Sequence, residues 1–209
     1  MVASPPIVPS TADQRIVMSA IPWSHYEAQI ALRGETSVPR VSYLEGAMEL
    51  MSPSSDHEKL KFYIGRLVEA YALEVGLEFS GYGSWTLKSG PHKAGAEPDE
   101  CYIVGSDQRK DVPDLAIEVI WTSGGLDKLE IYRRLGVGEV WFWKEGRIEV
   151  HVLRKGSYER VRRSVLLPGL DLDLLVTFLD RPLASQAIRA FRDTVRKPKP
   201  RRRSSRSRR

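Results

Sequence analysis

The sequence predicts an α/β (α+β) domain over residues 22–180, in which helices pack against a mixed β-sheet. Apolar residues recur three to four positions apart between Leu60 and Val75, which indicates a long helix with one buried face. The stretch Leu115–Trp121 is almost entirely apolar, which favours a central strand that is covered on both faces. Helical and strand patterns follow one another along the chain without an internal repeat, so one layered domain is expected.

The first half of the chain is divided by prolines, capping residues and glycines. Residues 1–21 hold three prolines and show no periodicity, so we expect a flexible N-terminal arm. Ser24 with Glu27, and later Ser55 with Glu58, form capping-box patterns that predict helix starts. The predicted elements are a helix from Ser24 to Gly34, strands at Arg40–Leu44 and Ala47–Ser52, the long helix from Ser55 to Gly76, and strands at Leu77–Tyr82 and Trp85–Lys88.

The second half begins with a glycine- and charge-rich stretch, Ser89–Glu97, which is expected to be a loop. Beyond residue 180 the pattern is helical to residue 195, so 181–195 is expected to be a C-terminal helix. The tryptophans Trp121, Trp141 and Trp143 are expected to be core and rim aromatics of the sheet rather than base-stacking platforms. The predicted elements are strands at Asp99–Val104 and Leu115–Trp121, a helix at Leu126–Leu135, strands at Val140–Trp143, Ile148–Leu153 and Tyr158–Arg162, and helices at Leu170–Leu179 and Pro182–Val195.

Composition limits the class of protein. Of 209 residues, 42% are hydrophobic and 28% are charged, as in ordinary globular domains. Cys101 is the single cysteine, which excludes an internal disulfide and a four-cysteine zinc site. The sequence contains no signal-peptide pattern and no apolar run near the length of about 18 residues that spans a bilayer. We therefore expect a cytoplasmic protein that does not enter a membrane.

The net charge of +5 is concentrated at the C-terminus. Residues 196–209 hold nine of the 32 basic residues and no acid, so the other 23 face 27 acids and the rest of the chain carries −4. A segment of this composition cannot pack and is expected to be disordered. The run Arg201, Arg202 and Arg203 would bind nucleic acid through its phosphates. The alternative is a solubilising tail without a binding role.

Glu118 is the most informative residue, because it is the one ionisable side chain in the apolar strand Leu115–Trp121. A buried carboxylate is costly unless it is paired, hydrogen-bonded or bound to a metal. The alternative, a strand with one wet face, is disfavoured because Ala116 and Ile120 share the face of Glu118 and are apolar. Glu118 is therefore a candidate functional carboxylate.

Asp99 and Lys128 are candidate partners of Glu118. Asp99 follows Pro98 at a predicted strand entry, and two carboxylates on adjacent strands can share a divalent ion such as Mg²⁺. Lys128 falls in the first turn of the next helix, where it could orient a water or balance phosphate charge. Taken singly, Asp99 could be a surface residue at a loop end, and Lys128 a solvated one.

These residues, with several segments in order, resemble the PD-(D/E)XK nuclease superfamily and, more narrowly, the bacterial Uma family of putative restriction endonucleases. The likeness extends over about two thirds of the chain, from Tyr43 to Leu179. Its segments are Met51-Ser52-Pro53 with His57, Pro98-Asp99, Pro113 to Val119, Lys128 with Tyr132, Gly136-Val137, Glu139 to Phe142, and Leu167 to Leu174.

The resemblance implies a restriction-endonuclease-like fold and nucleic-acid cleavage that depends on Mg²⁺ or Mn²⁺. Carried over by position, Asp99 and Glu118 would be metal ligands and Lys128 the catalytic lysine. The lysine that the superfamily usually has two residues after the acid is replaced by Ile120, so this role falls to Lys128. Glu45 could complete the metal site from the hairpin or be an ordinary turn residue, and His57 could be a site residue or a satisfied core histidine.

The expected function is hydrolysis of phosphodiester bonds in DNA, with a homodimer as one open arrangement, since nucleases of this kind often pair to cut two strands. Two alternatives stay open: a nucleic-acid-binding module that has lost catalysis, and a protein-interaction domain whose carboxylates are structural. The triplet of Asp99, Glu118 and Lys128 favours the enzyme. The acidic domain is a point against it, because nucleases commonly present a basic groove.

Overall fold

The structure, a computed structural model, describes residues 12–121 and 125–196. These residues form a mixed α+β architecture, which confirms the predicted fold class. The strands are β1 Gln14–Met18, β2 Arg40–Leu44, β3 Ala47–Ser52, β4 Phe79–Gly81, β5 Leu87–Ser89, β6 Ala94–Ala96, β7 Glu100–Val104, β8 Leu115–Ile120, β9 Glu139–Lys144, β10 Arg147–Arg154 and β11 Ser157–Val161. The helices are α1 Trp23–Arg33, α2 Ser55–Val75, α3 Lys128–Leu135, α4 Leu172–Val176 and α5 Ala184–Arg196.

The strands of the described segments form two sheets. The first is antiparallel, with strand order β1-β3-β2-β6-β5. The second has the order β11-β10-β9-β8-β7-β4 and is mixed, because β8 and β9 run parallel while its other pairs are antiparallel. A parallel pair needs a long connection, and the segment with α3 supplies it between β8 and β9.

Strand β8 lies in the middle of the second sheet and is covered on both faces, as its apolar sequence predicts. Ile117 and Val119 pack into the largest hydrophobic core with α2, α4 and α5. Ala116, which points the other way, packs in a second core with Ile131 and Tyr132 of α3. Glu118 has the same parity as Ala116, so it faces the α3 side.

The helix ends correct two capping predictions. Helix α2 is capped by Ser54, whose hydroxyl accepts a hydrogen bond from the His57 N–H at 3.2 Å, so its cap lies one residue before the predicted Ser55. Helix α1 begins at Trp23 after Pro22, without a side-chain cap from Ser24. Proline suits the start of a helix because its missing N–H would have no partner there. Helix α2 ends at Gly76 in the left-handed conformation, as predicted.

Part of the predicted N-terminal arm is a strand. The sequence predicts a flexible arm over residues 1–21, whereas β1 pairs antiparallel with β3 from Gln14↔Ser52 to Met18↔Met48. This prediction was wrong for β1 because the strand lies at a sheet edge with both faces largely exposed. Its side chains therefore lack the alternation of apolar and polar residues that marks a half-buried strand. Residues 1–11 lie outside the described residues.

The predicted loop Ser89–Glu97 contains the buried strand β6, which pairs with β2 and β5. Its sequence, Ala-Gly-Ala, has low strand propensity, so the pattern gave no signal. The glycine is required by packing: a Cβ at Gly95 would lie 2.2 Å from the Tyr26 hydroxyl. The Tyr26 side chain of α1 thus fills the space above β6.

Helix α5 packs against α2, because Ala187 and Phe191 are buried in the largest core. The basic tail, including Arg201, Arg202 and Arg203, lies outside the described residues from position 197 onward. Within residues 12–121 and 125–196, no helix combines the length and hydropathy that a bilayer crossing requires.

Candidate active site

Glu118 is buried on β8 and is bound by two side chains of α3. The Tyr132 hydroxyl donates a hydrogen bond to its Oε1, and the Lys128 Nζ lies 3.2 Å from the same oxygen. Lys128 and Tyr132 are four residues apart, so they share one face of α3. The side chain of Asp127 caps this helix by accepting a hydrogen bond from the Glu130 N–H, which fixes the first turn of the helix, where Lys128 lies.

The contact with Tyr132 keeps a proton next to Glu118. Burial raises the pKa of Tyr132 well above its usual value, and the negative charge of Glu118 and the hydrogen bond to it act in the same direction. The tyrosine therefore remains a hydrogen-bond donor at neutral pH. Both contacts fall on Oε1, and within the described residues no side chain or backbone group donates a hydrogen bond to Oε2 of Glu118.

Asp99 is fully buried between β6 and β7 and is bound by three groups. Its Oδ1 lies 3.0 Å from His57 Nε2 and contacts the Arg40 guanidinium, and its Oδ2 accepts the Val119 N–H at 2.6 Å. Glu100 pairs with Ile117 in the β7–β8 register, so one further step places Asp99 opposite Glu118. The structure therefore brings Asp99 beside the end of the strand that carries Glu118.

His57 joins the N-terminus of α2 to this site. Its Nε2 lies 3.0 Å from Asp99, and its Nδ1 lies 3.0 Å from the Asp13 carboxylate next to β1. Burial lowers the pKa of His57, and the hydrogen bond to Asp13 opposes that shift. The two alternatives for His57 are a site residue and a satisfied core histidine. The structure shows features of both, because the ring is buried with each nitrogen beside a carboxylate, and one of these carboxylates belongs to Asp99.

Glu45 occupies the turn between β2 and β3 at positive φ. Its carboxylate is 62% exposed and is paired with Arg134 of α3 at 2.7 Å. Its described partner is therefore a surface arginine rather than a residue of the Asp99 and Glu118 cluster. This is the environment of an exposed turn residue.

Glu49 is a buried acid that was not among the predicted site residues. It lies on β3, and its Oε2 accepts the Leu126 N–H at 3.1 Å and lies 3.7 Å from the Arg15 Nε. Glu49 thereby holds the segment that leads into α3 and Lys128. A signal was available, because Glu49 stands between Met48 and Leu50 much as Glu118 stands in β8.

Arg40, Asp13 and Tyr132 also contact the residues of the candidate site, and none of them was predicted to have a role there. Tyr132 could have been found, because four residues after Lys128 is the same helix face. Arg40 and Asp13 reach Asp99 and His57 only because β1, β2 and α2 come together in the fold. Nothing in their sequence neighbourhood indicates that convergence.

Two hard-oxygen carboxylates, Asp99 and Glu118, fit a sparse magnesium site. Within the described segments, no group of three or more His, Cys, Asp or Glu side chains is arranged to hold a metal ion. Mg²⁺ commonly binds through one or two carboxylates, with waters and substrate phosphates completing its shell. Asp99 and Glu118 offer two carboxylates of this kind.

The chain is similar to one family model and to a solved structure. The Uma2 family model, described as putative restriction endonuclease, matches residues 23–181. The crystal structure of a putative nuclease belonging to DUF820 from Anabaena variabilis is similar at a TM-score of 0.43 and 12% identity, covering 78% of this chain and 96% of that one. No protein with a curated description matches the sequence.

Proposed function

We propose that this chain, which belongs to the Uma2 family of putative restriction endonucleases, is a metal-dependent endonuclease that hydrolyses phosphodiester bonds in DNA. One observation carries the proposal: the Lys128 amine lies 3.2 Å from the buried Glu118 carboxylate, at the strand end next to Asp99. A buried acid, a second acid and a lysine at one place are the groups that such hydrolysis needs.

In this proposal Asp99 and Glu118 hold Mg²⁺ or Mn²⁺. When bound, the ion would lower the pKa of a coordinated water and polarise the scissile phosphate. Lys128 carries the positive charge that orients the attacking water and stabilises the negative charge that develops on the phosphate. Its amine is partly accessible, so it can reach a phosphate from outside the core.

The remaining side chains position these groups. Tyr132 fixes the Oε1 of Glu118 by hydrogen bonding, which leaves the Oε2 side of the carboxylate for a ligand. His57 and Arg40 fix the Oδ1 of Asp99, and the Arg40 guanidinium offsets its negative charge. We assign these three residues to positioning rather than to direct contact with the substrate.

A second candidate is a nucleic-acid-binding module without catalysis. It is favoured by the full engagement of Asp99 with His57, Arg40 and the Val119 N–H, and by the absence of a three-ligand metal group among the described residues. Under this alternative the carboxylates would be structural, and divalent ions would neither raise the Tm of the protein nor produce cleavage.

The test compares the parent protein with Glu118→Gln. Glutamine keeps the size and the acceptor for Tyr132 but removes the charge, so the fold should persist while cleavage falls about a hundredfold or more. Cleavage of single- and double-stranded DNA and RNA would be measured with Mg²⁺, with Mn²⁺ and with EDTA. Glu159→Gln, at an exposed acid of β11 paired with Arg154, is the matched control and should cut normally.

Thermal unfolding provides the second measurement. Mg²⁺ that binds the folded state should raise the Tm of the parent and of Glu159→Gln, and should leave the Tm of Glu118→Gln unchanged. If the parent cuts none of the four substrates and neither ion changes its Tm, the result would support the binding module and contradict the nuclease. Cleavage of RNA alone would contradict the DNA assignment.

A further inference from the structure

A pocket of about 320 Å³ lies where α2, the end of β8 and the β9–β10 turn meet. It is on the sheet face opposite Glu118, because Trp143 packs with the core that contains Ile117 and Val119. The proposed hydrolysis uses none of its side chains. The lining residues are Asp56, Lys59, Leu60, Tyr63, Trp121, Trp143, Gly146, Val176, Leu179 and Asp180.

The pocket wall is aromatic. The rings of Trp121 and Trp143 are stacked, with centroids 5.8 Å apart and planes at 17°. Trp121 keeps 38% of its surface exposed although it is a large apolar side chain. A flat heteroaromatic ligand placed on Trp121 would extend this stack, and nucleobases stack on such platforms with little regard to sequence.

The pocket lies at the same strand end as the proposed catalytic carboxylates, on the other face of the sheet. Trp121 follows Glu118 by three residues, which is about 10 Å along an extended chain. Asp56 directly precedes His57, whose ring contacts Asp99. A nucleic-acid strand with a phosphate at Asp99 and Glu118 would therefore reach the pocket with a nearby base by passing round the end of β8.

The charges of the rim suit a nucleotide better than a purely apolar ligand. The Lys59 Nζ lies 5.7 Å from the centre of the Tyr63 ring and can contact a backbone phosphate. Asp56 and Asp180 offer acceptors for the exocyclic amino and ring N–H groups of a base. One cation beside two acceptors and an indole stack is a set of groups that recognises a base together with its phosphate.

We propose that the Trp121–Trp143 pocket binds one unstacked nucleobase of the strand whose phosphodiester lies at Asp99 and Glu118. This inference rests on the proposed nuclease function and specifies its substrate as single-stranded or locally opened DNA. A base within an intact duplex is paired and stacked, so it must be extruded before it can enter. The protein should therefore bind a single strand more tightly than the same sequence as a duplex.

The test measures binding without cleavage, in full-length protein that carries Glu118→Gln, with EDTA present. The two probes are a fluorescein-labelled oligothymidylate and a labelled strand of the same length whose residues are all abasic. Binding of each probe is measured by fluorescence anisotropy. Trp121→Ala should weaken binding of the oligothymidylate about tenfold or more and leave binding of the abasic strand unchanged. Trp121→Phe, which keeps a stacking ring, should recover most of the loss.

Tyr82→Ala is the matched control, because Tyr82 is 44% exposed and does not line the pocket. It should bind both probes like the parent. Equal affinity of Trp121→Ala and the parent for oligothymidylate, or equal losses on both probes, would overturn the base pocket. Absence of cleavage by the parent with Mg²⁺ would instead count against the proposed hydrolysis, since this binding assay does not depend on it.

Discussion

At the scale of single residues, Glu118 shows how the fold accommodates a buried charge. An isolated carboxylate in an apolar strand would be strongly destabilising. The Tyr132 hydroxyl and the Lys128 ammonium both come from α3 and meet the same carboxylate oxygen, so the segment after β8 provides the compensation. The same two contacts leave a charged and hydrogen-bonded carboxylate at the strand end, where a phosphate could approach.

The role of Lys128 can be tested by Lys128→Met, which keeps the length of the side chain and removes its charge. We expect cleavage at saturating substrate to fall about 10²- to 10⁴-fold, because both orientation of the water and stabilisation of phosphate charge are lost. Single-turnover rates with Mg²⁺ would measure the loss. Lys144→Met, at an exposed lysine at the end of β9, is the control. A Lys128→Met protein with the parent rate would remove Lys128 from the catalytic group.

The residues of the site were predictable to different extents. Glu118 was accessible from the sequence because its neighbours in the strand are apolar, and Lys128 because it falls in the first turn of the helix predicted to follow that strand. Arg40 was not, because its contact with Asp99 depends on how β2 meets the start of β7. Pairings between distant segments depend on tertiary packing, and a single sequence carries no local signal of it.

At the scale of elements, the predictions succeeded where an apolar pattern marks the element and failed at the edge strand β1 and at the short buried strand β6. The bounds of β2 and β3 match the prediction because apolar residues and a glycine turn define them. The edge strand β1 and the short strand β6 were missed, because backbone pairing rather than side-chain pattern places them. Helix α3 begins two residues later than predicted, at Lys128, because Asp127 provides the cap.

Helix α5 offers a test of whether the segment after residue 180 belongs to the domain. The Phe191 side chain is fully buried and stacks edge-on against Phe178. We expect Phe191→Ala to lower the free energy of unfolding by about 3–5 kcal/mol, measured by urea denaturation. Arg192→Ala on the same helix removes an ion pair with Glu74 at the edge of the core and should lower the free energy of unfolding much less. Similar small losses for both variants would mean that α5 is not part of the stable fold.

At the scale of the whole molecule, charge is divided between the domain and the tail. Residues 197–209 carry eight of the 32 basic residues and no acid, so without them the net charge changes from +5 to −3. Arg196 is not counted with them, because it lies on α5 and is paired with Glu74. A net-negative domain gains little from long-range attraction to nucleic acid, so we expect the tail to supply much of the non-specific affinity.

Deletion of residues 197–209 tests this division of roles. The truncated protein should bind DNA much more weakly at low salt, and the slope of log K against log salt should become flatter, because fewer counterions are released. A full-length variant with Arg201→Gln, Arg202→Gln and Arg203→Gln controls for the loss of length. Its affinity for DNA should lie between those of the parent and of the truncated protein. Cleavage at saturating substrate should survive the deletion, because Asp99, Glu118 and Lys128 all lie in the domain. Unchanged affinity and salt dependence after deletion would mean that the domain itself presents the basic surface that binds DNA, and the tail would then have no part in binding.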